Sequence, residues 1–130
     1  MNRTVFELIG GAQMIERLVD AFYRRVQAHP NLSQLFPQDI TPIRNKQLKF
    51  LTQFFGGPQL YTLEHGHPMM RARHLPHPIT PERAREWLSC MAAAMDEVGL
   101  EGPVRTYMWE RIVLTARHMI NSEDPVPQRG

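Results

Sequence analysis

A chain of 130 residues, 42% apolar and 22% charged, is long enough for one domain with a sizeable core and has the composition of an ordinary globular protein. The net charge of +2 comes from basic residues interspersed with acids, which argues against a nucleic-acid surface, and no apolar run approaches the length of a membrane span. The N-terminus carries no signal-peptide pattern and the single Cys90 excludes an internal disulfide framework, so a reducing, cytoplasmic setting is expected.

Val5 to Ile9 reads as one or two helical turns ended by Gly10-Gly11. From Ala12 to about His29, Ile15, Leu18, Val19, Phe22, Tyr23 and Val26 recur at intervals of an amphipathic helix. Tyr23 lies within that apolar stripe, so its hydroxyl faces inward and needs a partner, ordinarily a backbone carbonyl. His29-Pro30 ends the helix, and Leu32 to Phe36 predicts a short helical piece anchored by Phe36.

Thr41-Pro42 reads as an N-cap followed by a helix-opening proline. The helix runs to about Phe55, with Ile43, Gln47, Phe50, Leu51 and Phe54 inward. Gln47 is a polar amide in an apolar stripe: it bonds backbone, sits at the edge, or faces a polar ligand. Lys46 flanks the stripe and can reach an acidic group at a pocket rim. Gly56 to Gly66 reads as loop, with Tyr61 its one aromatic residue.

The stretch from His65 to Thr80 holds four histidines, three prolines and two arginines. Pro68 can open a helix that Pro76 and Pro78 stop, leaving Met69 to His74 as about two turns with His74 at the end. Three readings of His74 are open. It caps a helix C-terminus, or it shares a zinc ion with His65, His67 or His77, or it is an axial ligand to haem iron. No second cluster of Cys or acids completes a zinc site.

Thr80-Pro81-Glu82 repeats the cap-then-proline start of a helix to about Val98, with Ala84, Trp87, Leu88, Met91, Met95 and Val98 inward. The Trp87 indole N–H therefore wants an acceptor. Gly102-Pro103 starts the last helix, to about Asn121. Val104, Met108, Ile112, Thr115 and Met119 share one face, and Tyr107, Leu114 and His118 widen it, which predicts a helix covered on more than one side. Residues 1–121 read as a single domain and 122–130 as a disordered tail. No strand, repeat, phosphate-binding glycine loop or nucleophile elbow is present.

Tyr23, Gln47 and Trp87 each bring a hydrogen-bonding group into an apolar stripe, one from each of three helices. Phe36, Phe50, Phe54, Met70 and Met91 can wall an apolar pocket, the usual makeup of a cofactor site. If that cofactor is haem, His74 is the proximal ligand, Tyr23, Gln47 and Trp87 form a polar distal cage, and Arg73 and Lys46 meet the propionates.

The order of Gly10-Gly11, Phe22-Tyr23, Phe36-Pro37, the run from Phe50 to Pro58, His65-Gly-His-Pro68, Arg71-Ala-Arg-His74, Trp87 to Met91 and Thr115 to Met119 resembles the group II truncated haemoglobins over nearly the whole chain. The resemblance implies an all-α, globin-like fold, a truncated two-over-two helical sandwich around haem b. It implies His74 as the iron ligand and Tyr23 and Trp87 as hydrogen-bond donors to the bound diatomic. It places Tyr61 and Ile79 among the cofactor-binding residues. Ile43 falls at the family's usual distal-histidine position and Gln47 one helical turn on, so ligand polarity must come from Tyr23, Gln47 and Trp87. Phe36 stands where some members carry Tyr or His.

Several preformed donors in a water-poor pocket predict strong retention of O2, with CO and NO as further ligands. The alternatives are a haem enzyme, with nitric oxide dioxygenase or peroxidase-like activity and a reductase partner, or a helical module without haem. A monomer or homodimer is expected, with neither nucleic acid nor membrane as partner.

Overall fold

The computed structural model describes residues 3–66 and 79–123. The described residues form helices and no strand. In chain order these are α1 (Val5–Leu8), α2 (Ala12–Ala28), α3 (Pro30–Ser33), α4 (Thr41–Phe54), α5 (Leu60–His65), α6 (Pro81–Glu97) and α7 (Gly102–Met119). The predicted helix from Met69 to His74, and with it Met70, Arg73 and His74, lies outside the described residues, as do His67, His77 and the segment 124–130.

Helix α2 is the centre of the fold. Its stripe of Ile15, Leu18, Val19, Phe22, Tyr23 and Val26 is buried, each large side chain contributing about 1.5–3 kcal/mol relative to exposure. One flank packs on α4 and the other on α6, while α6 pairs with α7. Two helix pairs thus lie one over the other. Thr80 caps α6 as its sequence predicts, its hydroxyl accepting from the Arg83 N–H at 3.1 Å. Ile79 is tied to the end of α7: its N–H donates to Asn121 Oδ1 at 2.8 Å, and its carbonyl accepts from the N–H groups of Asn121 and Ser122.

Four local expectations are corrected. Gly56 to Gly66 is not all loop, because Leu60–His65 forms α5 with Tyr61 2% exposed. Gln53 of α4 holds it there: its amide donates to Thr62 Oγ1 at 2.7 Å and accepts from the Thr62 N–H at 2.9 Å. Thr41 is the first residue of α4 rather than its cap; its N–H is taken by Asp39 Oδ1 at 3.0 Å, an aspartate turn that supplies the missing acceptor. The short helix runs Pro30–Ser33, not Leu32 to Phe36, and its buried anchor is Leu32. Finally, among the described residues α7 is covered on one side only: Tyr107 and Leu114 are 48% and 66% exposed. The Arg111 guanidinium, 4.9 Å from the Phe54 ring centroid and 5.8 Å from that of Tyr107, shields part of this face.

Gly57 is required by close approach. A Cβ there would stand 2.9 Å from both the Phe6 ring and Thr52 Cγ2, where α1 crosses the end of α4. The crossing is pinned by the Phe6 N–H donating to the Phe55 carbonyl at 2.8 Å.

Candidate functional site

Phe22 of α2 is the platform of the site. Its ring meets Tyr23 edge-on at 5.0 Å and Trp87 of α6 edge-on at 4.9 Å. Phe36 closes on the other edge of Tyr23 at 6.1 Å. Three elements therefore bring Tyr23, Trp87 and Phe36 into one aromatic cluster, as edge-to-face pairs favoured by the ring quadrupoles. Tyr23 is 6% exposed and Trp87 half-buried.

A core tyrosine or tryptophan of this kind ordinarily bonds a backbone carbonyl. Neither the Tyr23 hydroxyl nor the Trp87 indole N–H bonds any described residue, and the Gln47 amide, half-buried on α4, bonds none either. A buried polar group without a partner costs about 1–3 kcal/mol. Tyr23 is buried and Trp87 and Gln47 are half-buried, so three donors without a described partner stand on α2 and the two helices packed against it, open to an acceptor on a ligand. Burial pushes the Tyr23 hydroxyl well above the ordinary tyrosine range, so it is a donor and not a phenolate.

The α4 wall is aromatic. Phe50 and Phe54 stack at 5.4 Å, and Tyr61 of α5 meets Phe50 edge-on at 5.8 Å. Ile43 is half-buried at the start of the same face. Lys46 is half-buried and lines an outer groove with Asp39, Asn45, Lys49, Glu64 and His65. There Lys49 pairs with Glu64 and holds its carboxyl below the usual range. Met91 is fully buried in the core, and Ile79 is half-buried.

The structure thus joins Tyr23 to Phe36 directly and to Trp87 through Phe22, and joins Phe50, Phe54 and Tyr61 as a second group. Phe22 was read as part of the α2 stripe and of the Phe22-Tyr23 pair, but no role in the site was expected of it. Arg44 was missed as well. Its guanidinium clamps Asp20 through Nε at 2.9 Å and Nη2 at 3.1 Å, and reaches Glu16 at 3.1 Å. The spacing of Glu16 and Asp20, one helical turn apart on α2, was its signal. Among the described residues no group of three His, Cys, Asp or Glu is placed to hold a metal ion. Cys90 is buried, its thiol pushed up chiefly by that burial.

The family model for bacterial-like globins matches residues 4–121. The chain is 59% identical over 114 residues to the group 2 truncated hemoglobin YjbI of Bacillus subtilis, covering 88% of this chain and 86% of that protein. It is similar in structure to the group II truncated hemoglobin of Bacillus anthracis, with a TM-score of 0.94, 57% identity and 96% of each chain covered. It is also similar to a truncated oxygen-avid haemoglobin from Bacillus subtilis, with a TM-score of 0.89 and 58% identity over 92% of this chain and 100% of that one. The two-over-two arrangement of α2, α4, α6 and α7 is the truncated globin fold, and the chain belongs to the bacterial-like globin family, among the group II truncated haemoglobins.

Proposed function

We propose that this globin binds haem b through His74 and retains O2 strongly through Tyr23, Gln47 and Trp87. The supporting observation is the set of three donors, one each on α2, α4 and α6, that bond no described residue, with the Phe36 ring against Tyr23 and the Phe50–Phe54 stack on α4. The haem would supply a coordination site for a diatomic ligand. The chain's part is then to hold the ring, exclude water and aim donors.

Phe50, Phe54, Tyr61, Met70, Ile79 and Met91 provide the apolar contacts. Arg73 and Lys46 meet the propionates at the rim, where opposite charges pair best. With haem bound, a diatomic ligand at its open site would gain partial negative charge, which Tyr23, Gln47 and Trp87 as preformed donors would stabilise without reorganising. CO gains less, because it polarises less. The oxygen avidity named for the similar Bacillus subtilis protein agrees with this donor set. Tight retention suits storage, sensing or redox chemistry in the cytoplasm better than bulk delivery. Turnover of nitric oxide or peroxide is the second role that the same donors serve, and it requires an external reductase.

The test is the absorption spectrum of purified protein, ferrous and then with carbon monoxide, in wild type and His74→Gly. The expected result is an intense Soret band that shifts with carbon monoxide. The mutant loses the proximal signature and regains it with added imidazole. Folded protein that shows no Soret band after haem reconstitution overturns the proposal.

A further inference from the structure

Helix α5 runs only from Leu60 to His65, too short to hold its shape without tertiary support. Gln59 precedes it and its side chain caps no N–H of the helix. Tyr61 is its only buried residue, while Leu60 and Leu63 are 40% and 83% exposed, so apolar packing fixes α5 at a single ring. The polar support comes from α4. Gln53 accepts from the Thr62 N–H at 2.9 Å and donates to Thr62 Oγ1 at 2.7 Å, both part-buried. A first-turn N–H of α5 is thus capped by a side chain of another helix. Lys49, one turn earlier on α4, pairs with Glu64, but that pair is exposed and contributes little. Phe50 and Gln53 lie three residues apart on α4, so the ring that Tyr61 meets and the amide that holds its neighbour Thr62 belong to one face.

We propose that Gln53 is a positioning residue for haem retention: by capping α5 at Thr62 it seats Tyr61 against Phe50, and that seat sets how long the chain keeps its haem. The inference rests on the proposed haem pocket, in which Phe50 and Tyr61 are wall residues. Gln53 acts through Tyr61 and needs no contact with the haem. Without its cap the Thr62 N–H turns to water, α5 frays from α4, and Tyr61 leaves the wall with it.

The experiment compares haem-loaded wild type, Gln53→Leu and Gln53→Glu. Leucine keeps the bulk of the side chain and removes both bonds. Glutamate keeps both, since a carboxylate accepts from the Thr62 N–H and from the Thr62 hydroxyl, which rotates to donate. Haem loss is followed as transfer to excess apomyoglobin. Losing a helix cap is expected to speed it roughly fivefold in Gln53→Leu, with Gln53→Glu near wild type. Soret circular dichroism, which responds to the aromatic rings around a bound haem, should change in Gln53→Leu and recover in Gln53→Glu. Because Gln53 acts through Tyr61, the two sites are not additive: in a Tyr61→Leu background, Gln53→Leu should add less than about twofold. Amide hydrogen exchange of the haem-free chain gives a readout without haem. Exchange across α5 should quicken in Gln53→Leu, with the buried stripe of α2 unchanged.

Equal haem loss in wild type and Gln53→Leu overturns the inference and leaves the proposed function standing. So does faster loss that Gln53→Glu fails to reverse, or that is as large in the Tyr61→Leu background. Faster exchange in α2 as well as α5 would mean general loosening of the fold and also overturns it. A wild-type chain that takes up no haem overturns the proposed function, and this inference falls with it.

Discussion

Replacing Tyr23 by Phe separates a ligand-facing hydroxyl from a structural one. The ring contacts survive, since the edge-on pairs with Phe22 at 5.0 Å and Phe36 at 6.1 Å involve the ring and not the oxygen. The hydroxyl bonds no described residue, so its removal breaks no protein hydrogen bond. It also relieves a desolvated polar group, worth about 1 kcal/mol at the low end of such penalties. The haem-free variant is therefore expected to melt at the wild-type temperature or about 3 °C above it. Its O2 release should meanwhile be roughly tenfold faster, because one donor to a polarised ligand contributes about 1.4 kcal/mol. Trp87→Phe likewise keeps an aromatic ring against Phe22 and removes one donor. Together the two changes remove about 2.7 kcal/mol and speed release roughly a hundredfold. Carbon monoxide release should move far less. The assays are stopped-flow O2 release and thermal melting of the same preparations. A Tyr23→Phe protein destabilised by more than about 1 kcal/mol would place the hydroxyl in a protein hydrogen bond and refute the reasoning. A double variant that releases O2 no faster than wild type would refute it from the other side.

Because burial raises the Tyr23 hydroxyl, the folded chain keeps a proton that the unfolded chain loses above about pH 10. The unfolded state binds fewer protons there, so wild-type stability should fall relative to Tyr23→Phe as pH rises above that value; parallel denaturant midpoints in the two proteins would contradict this. Arg25 and Arg24 hold the Glu97 carboxyl below the usual range, so its stabilising pairs are present above the ordinary glutamate value and are lost as pH falls. A small stability gap between wild type and Glu97→Gln at neutral pH should accordingly close in acid, as urea unfolding across pH 3–7 (roughly the span of carboxylate titration) would show. Gly57→Ala should cost about 1–3 kcal/mol, since its Cβ meets the Phe6 ring and Thr52 at 2.9 Å, whereas Leu63→Ala at 83% exposure should be nearly neutral. Equal chemical denaturation midpoints for those two variants would show that α1 yields freely.

The helices with a sustained apolar period were legible in the chain. The α2 stripe, the Thr80 cap and the inward placement of Tyr23 follow from side-chain spacing and proline chemistry alone, because those rules act within a few residues. Short elements were not legible. Six residues at Leu60–His65 are too few for a period to register, and α5 exists because Gln53, nine residues earlier, satisfies Thr62 at both donor and acceptor. The broad apolar face of α7 misled for the complementary reason. Nothing local says whether a second surface arrives to cover Tyr107 and Leu114, and among the described residues none does.

The sequence by itself determined the all-α architecture, the residues facing the interior and, through the run of family residues, a globin. The tertiary structure alone decided which inward polar groups find partners. Tyr23, Gln47 and Trp87 look from the chain like core residues awaiting carbonyls, and only packing α2, α4 and α6 together leaves all three without a bond to any described residue. The same packing laid Arg44 across Asp20 and Glu16. Helical periodicity sets the direction of a side chain, but hydrogen-bond satisfaction depends on atoms brought together from distant parts of the chain, and no local pattern encodes that meeting.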